Sequence, residues 1–375
     1  MVNDFNNDFL KHHSVWDFSG AFGEELGPFV TSPVLYANFV AQGDRGNALF
    51  NHTDRDNCNY PYWLLREKFK VKGIHLNTAD VNRNEKIAFE LHIDVQSRKS
   101  SAPIYLLLME PMAINRNNAS EALRSLYRRI LTWDDQLVDG CRYVNLRLPG
   151  NVENKITSFK LGWIGRDRLC CVIAGNKTVH NNVKNNNSDE LYSKRVETIR
   201  WFESHAPHAF DLYGTGWDSP PARYSLFGRV WNKASRYWYK VIKKNPFLSY
   251  RGAVKNKHDT LKLYRFSICY ENISGINGYL SEKIFDCFYA GCVPVYWGAP
   301  DILNYVPREC FVDRRQFADH ESLYEFLTSM SEEEYINYQQ AMQTFLTSQT
   351  AGLFSSEAFA SKIVNTILAD LGDVG

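Results

Sequence analysis

No apolar run in this sequence approaches the roughly 18 residues that a membrane-spanning helix needs. The longest candidate, Cys287 to Ala299, is interrupted by Gly291 and Pro294. The opening residues, Met1 to Trp16, are rich in Asn, Asp and His and lack the apolar stretch of a secretion signal. Neither a spanning helix nor an export signal is therefore expected. The eight cysteines (58, 141, 170, 171, 269, 287, 292 and 310) include no Cys-x-x-Cys pair, and six lie in or beside apolar segments. We expect reduced, packed thiols rather than disulfides or metal ligands. The ten histidines form no His-x-x-x-His pair suited to zinc, and no Walker or Gly-x-Gly-x-x-Gly loop occurs. A charge excess is missing too, since 43 Lys and Arg face 42 Asp and Glu. So balanced a chain does not read as a nucleic-acid binder.

What is present is enough apolar material for a large core. The 375 residues are 44% apolar, and single cores rarely grow past about 250 to 300 residues, so two domains are expected. Strand-like stretches (Val34 to Val40, Gly73 to Asn77, Ile87 to Val95, Ile104 to Met109) alternate with helix-like ones (Tyr62 to Phe69, Ala119 to Arg129). A second alternation runs through Leu169 to Ala174, Ser193 to His205 and Asp211 to Tyr213, and a boundary is expected near Pro149 to Thr157. The most regular unit is a strand Tyr264 to Tyr270, a helix Ser281 to Ala290 stopped by Gly291, and a strand Cys292 to Trp297. Towards the end, Ser331 with Glu334 forms a capping-box pattern, and Ser355 and Ser356 precede a helix that would bury Phe359, Ile363 and Ile367. This pattern predicts an α/β fold of parallel sheets with terminal helices, and such sheets bind ligands beyond the carboxyl ends of their strands.

The densest chemical signal follows the strand at Tyr264. Asn272 and Tyr279 come after that strand, while Glu282 and Lys283 occupy the first turn of the next helix with Ser281 at its N-cap. A helix N-terminus offers free backbone N–H groups and a positive dipole end, and Lys283 adds a full charge there. This outlines a diphosphate site, and a carboxylate such as Glu282 can hold the paired hydroxyls of a ribose. The combination suits a nucleotide-sugar donor. Gly214-Thr-Gly-Trp217 reads as a tight turn near that donor.

Three runs, Cys-Tyr-Glu-Asn272, Gly278-Tyr-Leu-Ser-Glu-Lys-Ile284 and Ala290-Gly-Cys-Val-Pro-Val-Tyr-Trp-Gly298, stand in this order. Together they closely resemble the donor-binding motif of the α1,3/4-fucosyltransferases, glycosyltransferase family 10. The resemblance implies the GT-B arrangement, two Rossmann-like domains facing across a cleft. Its expected division is an acceptor-binding domain at 1–155, a GDP-fucose domain at 156–350, and a C-terminal helix at 351–375 packing back on the first domain. It implies that Asn272, Tyr279, Glu282 and Lys283 contact the donor, with Glu282 on the ribose and Lys283 on phosphate, and that Arg195 clamps the diphosphate. Glu110 resembles the family's catalytic Glu, although Met109-Glu-Pro111 stands where the family has Gly-Glu-Asn.

Read from the residues, Glu110 ends the apolar strand from Ile104, where an α/β sheet presents its ligands. An inverting transfer needs one such carboxylate to take the proton of the acceptor hydroxyl. Asp134 and Asp135 are rivals for that role, and Asp54 and Asp56 are the alternative as metal ligands. No cofactor or divalent metal is expected to be required. The implied activity moves L-fucose from GDP-fucose to a glycan acceptor, with an α1,3 linkage, in the synthesis of surface or protein-linked glycans. The alternatives are another GDP-sugar or a non-catalytic sugar-binding module. The expected location is the cytoplasm, or the Golgi lumen for a trimmed catalytic domain. One segment stands apart: Arg223 to Lys257 holds ten basic residues and no acidic one, with six Trp, Tyr and Phe residues interleaved up to Tyr239. There Phe227, Trp231 and Trp238 fit one helical face while Tyr237 and Tyr239 fall off it. We expect an insertion that touches an anionic membrane or a lipid-linked acceptor, against an exposed, solvated loop.

Overall fold

The computed structural model describes residues 34–52, 55–96, 100–112, 114–150, 159–178, 190–221, 226–242 and 244–372. Met1 to Trp16, Asp54, Arg223 and most of the expected boundary at Pro149 to Thr157 lie outside the described residues. The first half holds β1 (Leu35–Val40), α1 (Tyr60–Val71), β2 (Ile74–Thr78), β3 (Ile87–Ile93), β4 (Ile104–Leu108), α2 (Glu121–Arg124), β5 (Arg129–Thr132) and β6 (Tyr143–Asn145). Its strands are all parallel in the order β2-β1-β3-β4-β5-β6. Strand β4 is apolar throughout and buried from Tyr105 to Leu108, as a strand covered on both faces must be.

The second half holds β7 (Arg168–Ile173), α3 (Tyr192–His205), β8 (Phe210–Tyr213), α4 (Leu226–Val241), α5 (Lys257–Leu261), β9 (Tyr264–Tyr270), α6 (Glu282–Ala290), β10 (Val293–Trp297) and β11 (Val312–Asp313). These strands form a second parallel sheet, β8-β7-β9-β10-β11. The helices α7 (His320–Ser329), α8 (Glu332–Leu346), α9 (Gln349–Gly352) and α10 (Ser356–Gly372) follow. Ser331 and Glu334 make the expected capping box at α8. The described cysteines are free thiols, six of them buried and Cys58 and Cys141 exposed.

Helix α10 returns to the first sheet. Its Phe359, Ile363, Val364 and Ile367 enter the same core as Leu65, Phe69, Phe89 and Leu91. Its far end is tied by the buried Asp370, whose carboxylate pairs with Arg128 (3.3 Å) and with Arg129 (3.0 Å from Nε). The halves also meet where Trp133, past β5, packs on Tyr279, before α6, with ring centres 4.8 Å apart. Beside that contact Gly278 has φ +78°, and a Cβ there would lie 2.5 Å from the Trp133 carbonyl oxygen, so only glycine fits.

One expected element is corrected. In place of a helix from Ala119 to Arg129 there is only the short α2, and Arg129 begins a strand. Leu123 and Tyr127 do share a buried cluster with Ile130, as i, i+4 and i+7 positions on a helix would. The cluster is reached by a chain that turns into the sheet, so packing across elements overrides the local period.

Candidate active site

In both sheets the strand order reverses beside the first strand, at β1/β3 and at β7/β9. Such a reversal leaves a crevice at the carboxyl ends of the strands. The two crevices open into one cleft, a cavity of about 640 Å³ lined from the first half by Tyr62, Asp94 and Glu110 and from the second by Lys177, Arg195 and Lys283. That volume is in the range of small-molecule sites. All six residues singled out from the sequence, Glu110, Arg195, Asn272, Tyr279, Glu282 and Lys283, line it.

Glu110 sits two residues past β4, half-buried. Its loop is clasped by Asp94, past β3. The Asp94 Oδ1 accepts from the backbone N–H of Met109 (2.9 Å) and of Glu110 (3.0 Å), and from the Asn118 side chain (2.9 Å). Asn118 also donates to the Glu110 carbonyl (2.9 Å), so the polar loop after Pro111 closes on the strand end. The Oε2 of Glu110 is buried and has no hydrogen-bonding partner among the described residues. Burial and the neighbouring Asp94 charge raise the Glu110 pKa above the ordinary carboxylate value, against the pull of Lys177, Lys283 and a hydrogen bond from Asn272. A carboxylate so placed has the chemistry to accept a proton. Asn272 further donates to the Tyr279 hydroxyl (3.1 Å), which fixes both side chains.

Lys283 extends from the first turn of α6 and is anchored by Glu271, a fully buried carboxylate at the end of β9. Glu271 accepts from the Lys283 ammonium (3.1 Å), from the Ser281 hydroxyl (2.7 Å) and from the Ser281 N–H (2.8 Å). The Ser281 side chain therefore makes no cap bond to the helix, although the residue occupies the N-cap position. Burial works against the lysine's charge, but Glu271 and Glu282 outweigh it and keep Lys283 cationic. Burial also acts against the Glu282 charge, and Lys283 and Lys257 override it and hold that carboxyl down at about 2. Arg195 on α3 is buried, donating to the Tyr270 carbonyl (2.8 Å) with its guanidinium over the Tyr192 ring (5.4 Å). At the turn after β8, a Cβ on Gly214 would meet the Ala174 oxygen at 1.8 Å, so that turn is close-packed against the end of β7.

The rival carboxylates are elsewhere. Asp135 is bound by Arg147 (2.9 Å), Asn145 (2.6 Å) and Tyr305 at the junction of the halves, and Asp134 accepts from Gln136 N–H (3.0 Å) in a turn. Asp56 does line the cleft, where it accepts from the Lys257 N–H (2.7 Å), and Asp54 lies outside the described residues. Among the described residues no three His, Cys, Asp or Glu side chains cluster as metal ligands would. Sequence reasoning missed Lys177, Asp94 and Glu271. A lysine four residues past a strand end could have signalled the first of these.

Residues 176–359 match the family model described as Glycosyltransferase family 10 (fucosyltransferase), C-terminal part. This segment belongs to that family. The match covers the cation-bearing side of the cleft, while Asp94 and Glu110 lie outside it. The alpha-(1,3)-fucosyltransferase FucT of Helicobacter pylori is 34% identical over 74 residues, which are 20% of this chain and 15% of that protein. An alpha-(1,4)-fucosyltransferase of Arabidopsis thaliana is 26% identical over 76 residues, 20% of this chain and 19% of that one. The matched segments thus span less than a fifth of either relative. A crystal structure of an alpha1,3-fucosyltransferase with GDP superposes with a TM-score of 0.52 at 15% identity, covering 91% of this chain and 92% of the other. Sucrose-phosphate synthase of Thermosynechococcus elongatus gives the same score at 10% identity, covering 92% and 100%. These likenesses establish the fold, the GT-B arrangement of two facing α/β halves. Among the described residues no helix is long and apolar enough to cross a membrane.

Proposed function

We propose that the chain is an inverting fucosyltransferase that moves L-fucose from GDP-fucose to a hydroxyl of a glycan acceptor. The observation that carries this reading is the cleft itself: a half-buried carboxylate with an open oxygen on one side, and Lys177, Arg195 and Lys283 on the other. Glu282 holds the ribose, and the three cations with the α6 N-terminus receive the diphosphate. Glu110 takes the acceptor proton as the acceptor oxygen bonds to the sugar's anomeric carbon. The bond to the diphosphate breaks with its electron pair going to GDP. Charge building on the leaving group meets fixed cations, and the oxocarbenium-like sugar faces the Glu110 carboxylate.

The acceptor lies in a second cavity that shares Asp94 and Glu110 with the donor cleft. It measures about 770 Å³ and is lined by Gln42, Gln96, Asn115, Arg116 and Asn117, side chains suited to sugar hydroxyls. No metal is needed, because the protein's own cations neutralise the diphosphate. The first test is incubation with GDP-fucose or GDP-mannose and a panel of galactose- and N-acetylglucosamine-containing acceptors, with and without EDTA. NMR of the product then gives the linkage. An α1,3-fucosylated product formed in EDTA supports the proposal. Turnover of GDP-mannose alone would change the sugar, metal-restored activity alone would revive Asp54 and Asp56, and GDP binding without any turnover would leave a sugar-binding module.

A further inference from the structure

Helix α4 buries the wrong strip for an ordinary surface helix. Gly228 and Ser235 are buried and Asn232 and Tyr239 half-buried. These are i, i+7, i+4 and i+11 positions, so one small and polar stripe faces the protein. The apolar stripe at Val230, Ala234, Tyr237, Trp238 and Val241 is turned to solvent instead, with Val230 69%, Tyr237 72% and Trp238 61% exposed. Trp231, on the same side, is 48% exposed. A third stripe, Lys233, Arg236 and Lys240, is exposed along the border of the apolar one. The spacing that sequence left open is thus resolved: Tyr237 belongs to the apolar stripe and Tyr239 turns towards the protein.

A helix that turns its apolar stripe to water has a partner elsewhere, and two features say which. Trp and Tyr, each an apolar body with a polar tip, are the side chains that settle at a bilayer interface. The charge on α4 is complementary to an anionic surface, since Lys233, Arg236 and Lys240 are exposed and the helix, Leu226–Val241, contains no acidic residue. We propose that α4 docks on the surface of an anionic lipid bilayer, its Val230, Tyr237, Trp238 and Val241 stripe in the headgroup layer and Lys233, Arg236 and Lys240 against the lipid charges. The docking does not depend on the transfer reaction.

The test uses the full chain and sedimentation with vesicles of phosphatidylcholine alone or mixed with phosphatidylglycerol. Wild type is expected to bind the mixed vesicles, to release them as salt rises, and to ignore the neutral ones. Lys233→Gln/Arg236→Gln/Lys240→Gln and Tyr237→Ser/Trp238→Ser should each weaken binding by about tenfold or more. Lys233→Arg/Lys240→Arg should retain it. All of these side chains are exposed, so thermal melting should be unchanged and serves as the folding control. Binding that is absent, equal on both vesicle types, or equal in wild type and both weakened variants would overturn the proposal. Self-association of wild type that Tyr237→Ser/Trp238→Ser abolishes, in the absence of lipid binding, would assign the stripe to a second copy of the chain.

Discussion

At the β1/β3 reversal of the first sheet the strand ends carry Asp94 and, one strand over, Glu110. At the β7/β9 reversal of the second they carry Lys177 and, from the flanking helices, Arg195 and Lys283. The strand order is the same and the charge is opposite. In each half a buried acid sets the working group, but with opposite effect. Asp94 binds the backbone around Glu110 and repels its charge, which raises the Glu110 pKa. Glu271 bonds the Lys283 ammonium directly and keeps it charged. One fold therefore holds a carboxylate of raised pKa or a retained cation according to whether the buried acid faces a carboxylate or an amine.

The strongest break in this division comes from Glu110→Gln. We expect it to lower the transfer rate by about a hundredfold or more, the usual scale for losing a general base. A near-wild-type rate in a product assay would remove Glu110 from the chemistry. Lys283→Ala comes next and should weaken GDP binding by about tenfold or more, as a charge-assisted phosphate contact is lost. Unchanged affinity by calorimetry would move the diphosphate elsewhere.

The smallest effect sharpens the role of Asp94. Glu110 works ionised, so the rate should fall as pH drops through its raised pKa. Asp94→Asn keeps an oxygen to accept the Met109 and Glu110 N–H groups while removing the charge. The acid limb of the rate profile should then move to lower pH. A limb that stays in place would limit Asp94 to holding the loop.

The β9-α6-β10 unit of the second half was more legible in the sequence than the part of the first half past β4. The span from Tyr264 to Trp297 could be bounded to within a residue or two, because its strands are largely apolar, with Arg265 and Ser267 as the polar positions of β9, and its helix is closed by Gly291 at φ +63°. In the first half β5 and β6 are four and three residues long, too short to show a period against Leu123 and Tyr127 nearby. Four of the donor-side residues, Asn272, Tyr279, Glu282 and Lys283, fall within a dozen positions, so the sequence displays them together, while Lys177 and Arg195 stand far from them. Asp94 follows β3 while Glu110 and Asn118 stand in the connection after β4, and their meeting is visible only once β3 and β4 pair. Glu110 was legible as a charge closing an apolar strand, whereas Asp94 offered no such contrast in a mixed polar run. Helix α4 stayed ambiguous because three stripes of different chemistry share it, and sequence alone does not say which of them faces the protein.

The most direct measurement of the division of labour is a GDP titration of wild type, Glu110→Gln and Lys283→Ala by calorimetry, with transfer rates taken on the same preparations at saturating GDP-fucose. We expect Glu110→Gln to bind GDP within about twofold of wild type while its rate falls about a hundredfold or more, and Lys283→Ala to lose GDP affinity by about tenfold or more. Loss of GDP affinity in Glu110→Gln that matches its loss of rate would contradict the separation of the two sites.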